Sequence, residues 1–191
     1  MRRVPPILSG CTPAKGTDRS SLESLIRAYR MHNRPSALTE KEFFKTRSSL
    51  REALRHAGLA IDGRPKRYRH QCRIPSATLK RGEGALQAAS SRIRRFSTFH
   101  ELHEYLQKLL FPFWGLGELY VYDTTLRVAA YRGLKPEYVY LHAGTRVGAR
   151  ALGLNVKQRF LQVADLPKPI QSLAPDEIED FLCIYKALLA K

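Results

Sequence analysis

The sequence is short of cysteine, of acidic residues and of long apolar runs, and each shortage excludes something. Three cysteines, Cys11, Cys72 and Cys183, stand far apart in a chain of 191 residues. With no Cys-x-x-Cys and no Cys/His group at zinc spacing, neither a disulfide framework nor a structural metal is expected, and no cofactor. Cys183 falls in an apolar helical run, where a buried thiol is inert, and nothing local supports a Cys/His nucleophilic pair. No window approaches the ~18 apolar residues of a membrane-spanning helix. Leu8-Ser9-Gly10-Cys11 echoes a lipoprotein cleavage site, but Pro5 and Pro6 interrupt the apolar stretch before it. That stretch falls short of the ~7–15 residues of a signal-peptide core. A cytoplasmic protein without a membrane partner is the expectation.

Acidic residues number 17 against 33 Lys+Arg, a formal charge of +16. At 43% hydrophobic and 26% charged the composition is globular. The shortage of acid is confined to one half: residues 1–100 hold 22 Lys+Arg and 7 Asp+Glu, whereas residues 101–191 hold 11 and 10. The chain therefore divides into a basic helical half, 1–100, and a near-neutral helical core, 101–191, as two lobes or as one continuous domain. Such asymmetry calls for a polyanionic partner on the basic side.

The charge is densest at 64–73, where Arg64, Lys66, Arg67, Arg69 and Arg73 alternate with Tyr68 and His70. Arginine suits bidentate phosphate contacts, and the interleaved rings suit stacking on bases. Arg94 and Arg95 form a second cluster. The 64–73 stretch has no amphipathic apolar face, which argues against a membrane surface.

Helical signals run through most of the chain. Ser20-Ser21-Leu22-Glu23, Thr39-Glu40-Lys41-Glu42 and Thr98-Phe99-His100-Glu101 are capping-box patterns, each followed by apolar residues at helical spacing. Gly58 is expected to stop the second helix, and Gly63, Pro65 and Pro75 mark 59–74 as a loop. A helix is expected from Pro75 to about Arg95, and another over 143–152. Pro175 suits the first position of a last helix with an acidic start. No strand stands out. The expected fold is all-α, a compact multi-helix domain.

Pro112 and the glycines of Gly115-Leu116-Gly117 predict a tight interhelical turn, with Leu116 inward and Glu118 opening the next helix. Residues 106–134 resemble the helix-hairpin-helix DNA glycosylases. Leu109-Leu110-Phe111-Pro112-Phe113-Trp114-Gly115-Leu116-Gly117 is similar to the family's hydrophobic-Gly-hydrophobic-Gly hairpin. Tyr122-Asp123-Thr124-Thr125-Leu126-Arg127-Val128 and Arg132-Gly133-Leu134 are similar to its Asp-bearing helix. The resemblance implies DNA as partner, phosphate contact at Gly115 and Gly117, and Asp123 as the catalytic carboxylate beside an extruded base. Glu118-Leu119 stands where bifunctional members carry a lysine, so any such chemistry would be monofunctional. Here Gly117 and Asp123 are only six positions apart, which puts both on one helix.

Read from the residues alone, Asp123 and His142 form a candidate acid/base pair, with an Asp123–Arg127 pair at i, i+4 as the structural competitor. Arg146 and Arg150 either present a helix start to phosphate or flank a close helix packing at Gly148. Leu119, Leu126, Val128 and Ala130 are candidates for the buried face of their helix. The expectation is a nucleic-acid-binding protein, DNA before RNA, with DNA repair as the implied setting. The alternatives are a monofunctional glycosylase-like enzyme acting on a flipped base, and a protein-interaction module presenting the Tyr120–Tyr140 aromatics. Binding is favoured over catalysis, because the positive charge and Asp123 fall in different halves.

Overall fold

The computed structural model describes residues 19–63 and 66–190. Arg64 of the basic cluster and the Leu8-Ser9-Gly10-Cys11 stretch lie outside the described residues. Three helices, Arg19–His32 (α1), Arg34–Lys45 (α2) and Leu50–Leu59 (α3), precede the basic loop. Ser76–Ala88 (α4), Ser90–Ile93 (α5), Phe99–Leu110 (α6) and Glu118–Arg132 (α7) follow it. Val139–Tyr140 (β1) pairs antiparallel with Phe160–Leu161 (β2), and Ala143–Ala151 (α8) lies between them. Pro175–Ile184 (α9) and Lys186–Leu189 (α10) come last. The fold is all-α, and no described helix is long and apolar enough to cross a membrane.

α7 is the axis of the molecule. It packs against α2, α3 and α6, and Tyr120, Val121, Tyr122, Thr124, Thr125, Arg127, Val128 and Ala129 are all buried. Leu119, expected on its buried side, is instead exposed. A helix packed against three others carries no single apolar stripe, so the stripe misassigns its inner side.

Two apolar cores meet at this axis. The first gathers Phe44, Leu54, Leu79, Phe99, Leu106 and Val121; the second gathers Leu22, Ile26, Leu141, Ile178, Phe181 and Leu182. The charge boundary near residue 100 is therefore not a packing boundary, because α1 joins the C-terminal core. Arg30 bonds the Ser172 carbonyl and hydroxyl at 3.0 and 2.9 Å, and the Tyr29 ring meets Phe181 edge-on.

Local chemistry explains most boundaries. At α6 the capping box forms: Thr98 Oγ1 accepts from the Glu101 N–H at 3.1 Å, and the Glu101 carboxylate accepts from the Thr98 N–H at 3.2 Å. The Thr39 box does not, because α2 starts earlier with Pro35 in its first turn and Thr39 bonds back to the Pro35 carbonyl at 2.9 Å. The helix expected there is two helices, broken at 46–49, with Ser49 capping α3. Gly58 lies inside α3, and Ala60 takes the left-handed position beyond its end with φ 53°. α1 already runs at Arg19, so Ser20 does not open it. The helix expected over 75–95 divides after Ala88. The two-residue strands are too short to show alternation in sequence.

Gly148 lets α8 and α9 touch. A Cβ there would collide with the Leu182 carbonyl oxygen, so of the two readings of the 144–149 stretch the structure supports close packing.

Candidate functional site

The turn between α6 and α7 is tight and pinned. The Phe113 and Leu116 N–H groups reach back to the Leu110 and Phe113 carbonyls, each at 3.0 Å. Gly115 has φ +91°, where a side chain would strain the backbone. Leu116 is buried in the first core, and Glu118 opens α7 with Gly117 as its cap. Its charge favours the helix start electrostatically, although it opposes an anion there.

The basic loop is built to hold its shape. Arg67 donates to the Ile74 carbonyl at 2.9 Å and to the Ser76 hydroxyl, closing the loop from inside. The Tyr68 ring lies half-buried beneath the Arg127 guanidinium, 3.9 Å from ring centroid to Cζ. Arg67 and Tyr68 therefore serve the loop's structure. His70 and Gln71 both reach the same Asp123 oxygen, at 2.7 and 2.8 Å. Gln71 also accepts from Arg127 at 2.9 Å, and Arg127 bonds Glu40 of α2 at 2.7 Å. What remains outward is Lys66, Arg69 and Arg73, exposed and without a carboxylate partner among the described residues. Loop and turn border one groove, with His70, Gln71 and Ile74 on one side and Gly115, Gly117 and Leu119 on the other.

Behind His70 a cleft of about 160 Å³ opens where the two cores meet. Its walls are Tyr29 of α1, Glu40, Lys41 and Phe44 of α2, Asp123, Leu126 and Arg127 of α7, and Asp176, Glu179 and Asp180 of α9. The Asp123 hydrogen bond lifts the His70 imidazole above its ordinary pKa, against the opposing effect of burial. His142 is buried and pairs with Glu179, which also accepts from Thr145 Oγ1 at 2.7 Å. Burial alone would lower His142, but Glu179 outweighs it and raises it. Burial, then the adjacent Glu179, pushes the Asp180 carboxyl up to about 6. The Tyr29 hydroxyl is buried beside Asp180, and burial followed by the Asp180 charge drives its pKa well up.

Asp123 and His142 do not pair, because each has another partner, and Arg127 turns to Glu40 instead of Asp123. Packing from α2 and the loop decides both, and neither is visible at i, i+4. Arg146 donates to the Val156 and Gln158 carbonyls at 2.7 and 2.9 Å, which ties down the loop before β2. Arg150, Arg94 and Arg95 are exposed. Tyr120, Tyr122 and Tyr140 are buried and so form no exposed aromatic patch. Tyr122 and Tyr140 pack with Phe99 and with His103, whose pKa burial lowers to about 4.

Tyr29, Glu40, Gln71, Glu179 and Asp180 are site residues that no sequence motif singles out. One signal is present: Asp176, Glu179 and Asp180 lie three and four apart, which puts them on one helical face. No family model matches this chain, and neither a curated protein nor a solved structure matches it.

Proposed function

We propose that this protein binds nucleic acid, DNA before RNA, across the groove between the basic loop and the 111–117 turn. The observation that carries the reading is the loop itself: Lys66, Arg69 and Arg73 stand free in solvent on a backbone fastened to α7. Exposed cations without carboxylate partners among the described residues suit phosphate, and a tethered loop backbone lowers the entropy lost on binding. Arg94 and Arg95 are exposed beside the C-terminal end of α7, away from this groove. A cytoplasmic location goes with this reading.

Affinity is expected to fall steeply with salt, with a log–log slope of about −0.9 per phosphate neutralised on duplex DNA. The double variant Arg69→Gln/Arg73→Gln should make the slope shallower by about two and weaken binding to all sequences alike. Gel shifts and anisotropy with DNA and RNA of equal length check both the slope and the order of preference. A salt-independent affinity, or no complex with any nucleic acid at low salt, sinks the proposal.

One observation favours a second reading, a monofunctional glycosylase-like enzyme. Asp123 lines a cleft and is not sealed in a closed pair, and the basic loop reaches it through His70. The acidic walls repel phosphate but accept from N–H donors, so a base fits there better than a backbone. Oligonucleotides carrying damaged bases, assayed for abasic sites, test it. Asp123→Asn keeps an oxygen that can accept from His70 and Gln71, so it should abolish product while leaving DNA affinity within about twofold. Unchanged product formation, or no product from any lesion, removes the enzymatic reading and leaves the binding one.

A further inference from the structure

We infer that Trp114 is a stacking platform for an unpaired base, so that the preferred ligand is nucleic acid with exposed bases over continuous duplex. The inference rests on the nucleic-acid reading and names its substrate class. Trp114 is 81% exposed, more than any other large apolar residue described, and it is the single tryptophan of the chain. An indole in water leaves a large apolar face unused, and no ring or cation contact among the described residues holds it there. Leu116, two residues on, already pins the turn in the core, and Phe113 packs against the same core.

Nor does the indole hang on a loose segment. The turn is closed by the two backbone hydrogen bonds at Phe113 and Leu116, and Gly115 sets its sharp bend. A ring carried on a fixed turn loses little freedom on stacking.

The surroundings decide the kind of partner. The turn abuts the start of α4: a Cβ on Gly115 would lie 3.9 Å from Thr78. α4 carries Lys80 and Arg81, exposed and without ion pairs among the described residues, and the groove beside the turn leads back to the basic loop. A projecting aromatic on a turn that shares a groove with a basic loop is the combination that holds single strands, the ring taking a base and the cations the phosphates. In continuous duplex the base faces are already stacked on one another, so the indole has nothing to cover.

The test uses the full chain and its one tryptophan. A thymidine oligomer should quench the fluorescence, and a duplex of equal length should quench it less. Trp114→Ala should weaken single-strand binding about 5- to 100-fold by anisotropy of a labelled oligomer, with duplex binding changed less than about threefold. Circular dichroism should show an unchanged fold, as expected for a side chain this exposed. If oligomers bind while the fluorescence and the Trp114→Ala affinity stay as they were, this inference fails and the nucleic-acid reading stands. If no oligomer binds, both fail. Quenching by phosphatidylglycerol vesicles with no response to oligomers would assign the ring to a membrane surface and overturn the inference.

Discussion

Arg127→Met should lower the stability of the protein by about 3 kcal/mol and release the basic loop. Arg127 is 3% exposed, and its guanidinium serves three neighbours from two segments: Glu40 of α2, and Gln71 and the Tyr68 ring of the loop. Burial disfavours its charge, but Asp123 and Glu40 outweigh burial and hold the arginine protonated. Methionine keeps the length and the apolar stem, and removes the donors. Glu40 then lacks its partner and the Gln71 oxygen loses its donor inside the fold. Breaking one side of a buried pair costs about 3–5 kcal/mol, and the lower end applies because water can still reach Glu40. In a domain of this size the loss corresponds to a fall in Tm of about 6–12 °C.

Arg127→Lys keeps the charge without the fork and should fall between the two. Adding Glu40→Gln to Arg127→Met should recover part of the loss. Urea denaturation measures stability, and hydrogen exchange over 66–73 reports the loop. If Arg127→Met unfolds at the wild-type midpoint, the clamp does not hold the loop.

The contrast between Thr98 and Arg127 shows what the sequence can carry. At Thr98 the signal and the structure both span four residues, so the capping box is legible and forms as read. The Gly115-Leu116-Gly117 turn is legible for the same reason, since backbone freedom and a missing Cβ act on the spot. At Arg127 the neighbour at i+4 is a plausible partner, yet packing brings Glu40 from 87 residues away and Gln71 from 56. Asp123 likewise stands out in the sequence, whereas its ligands His70 and Gln71 lie 53 and 52 residues off. Local pattern thus locates a reactive side chain but not the groups that set its state. The break between α2 and α3 is hidden in the same way, because 46–49 holds no glycine or proline and Ser49 caps only once the chain has turned. The basic character of 64–73 is plain, but which cations stay free depends on Arg67 folding inward onto Ile74 and Ser76.

Asp180→Asn should raise stability by about 2–3 kcal/mol at pH 8 and leave it unchanged below about pH 4. The Asp180 carboxyl holds its proton in the fold up to about pH 6, whereas the ordinary value for the exposed group is 3.8. Folding therefore takes up a proton between these values, and stability falls as pH rises through the window. Above about 6 the loss is complete, because the fold then carries a charge that its surroundings disfavour. Each tenfold gain in proton affinity on folding corresponds to about 1.4 kcal/mol, which sets the expected size. Burial is the first cause, followed by the charge of Glu179; Asp123 of α7 and Asp176 add to it, and Tyr29 of α1 opposes it. Lys41 of α2 pairs with Asp176 and not with Asp180, so among the described residues no cation answers the charge directly. Asparagine keeps the shape and cannot ionise. Urea denaturation between pH 4 and pH 8 should show the wild type losing stability toward pH 6 while the variant lacks that loss. Parallel curves would mean that Asp180 ionises normally in the cleft. A carboxylate that weakens the fold near neutrality, in the same cleft as Asp123, has a perturbed pKa of the kind found where chemistry or ligand binding is set against stability. Asp180→Asn therefore belongs beside Asp123→Asn in the assay for base release, where a stable but inactive protein would separate the demands of the site from those of the fold.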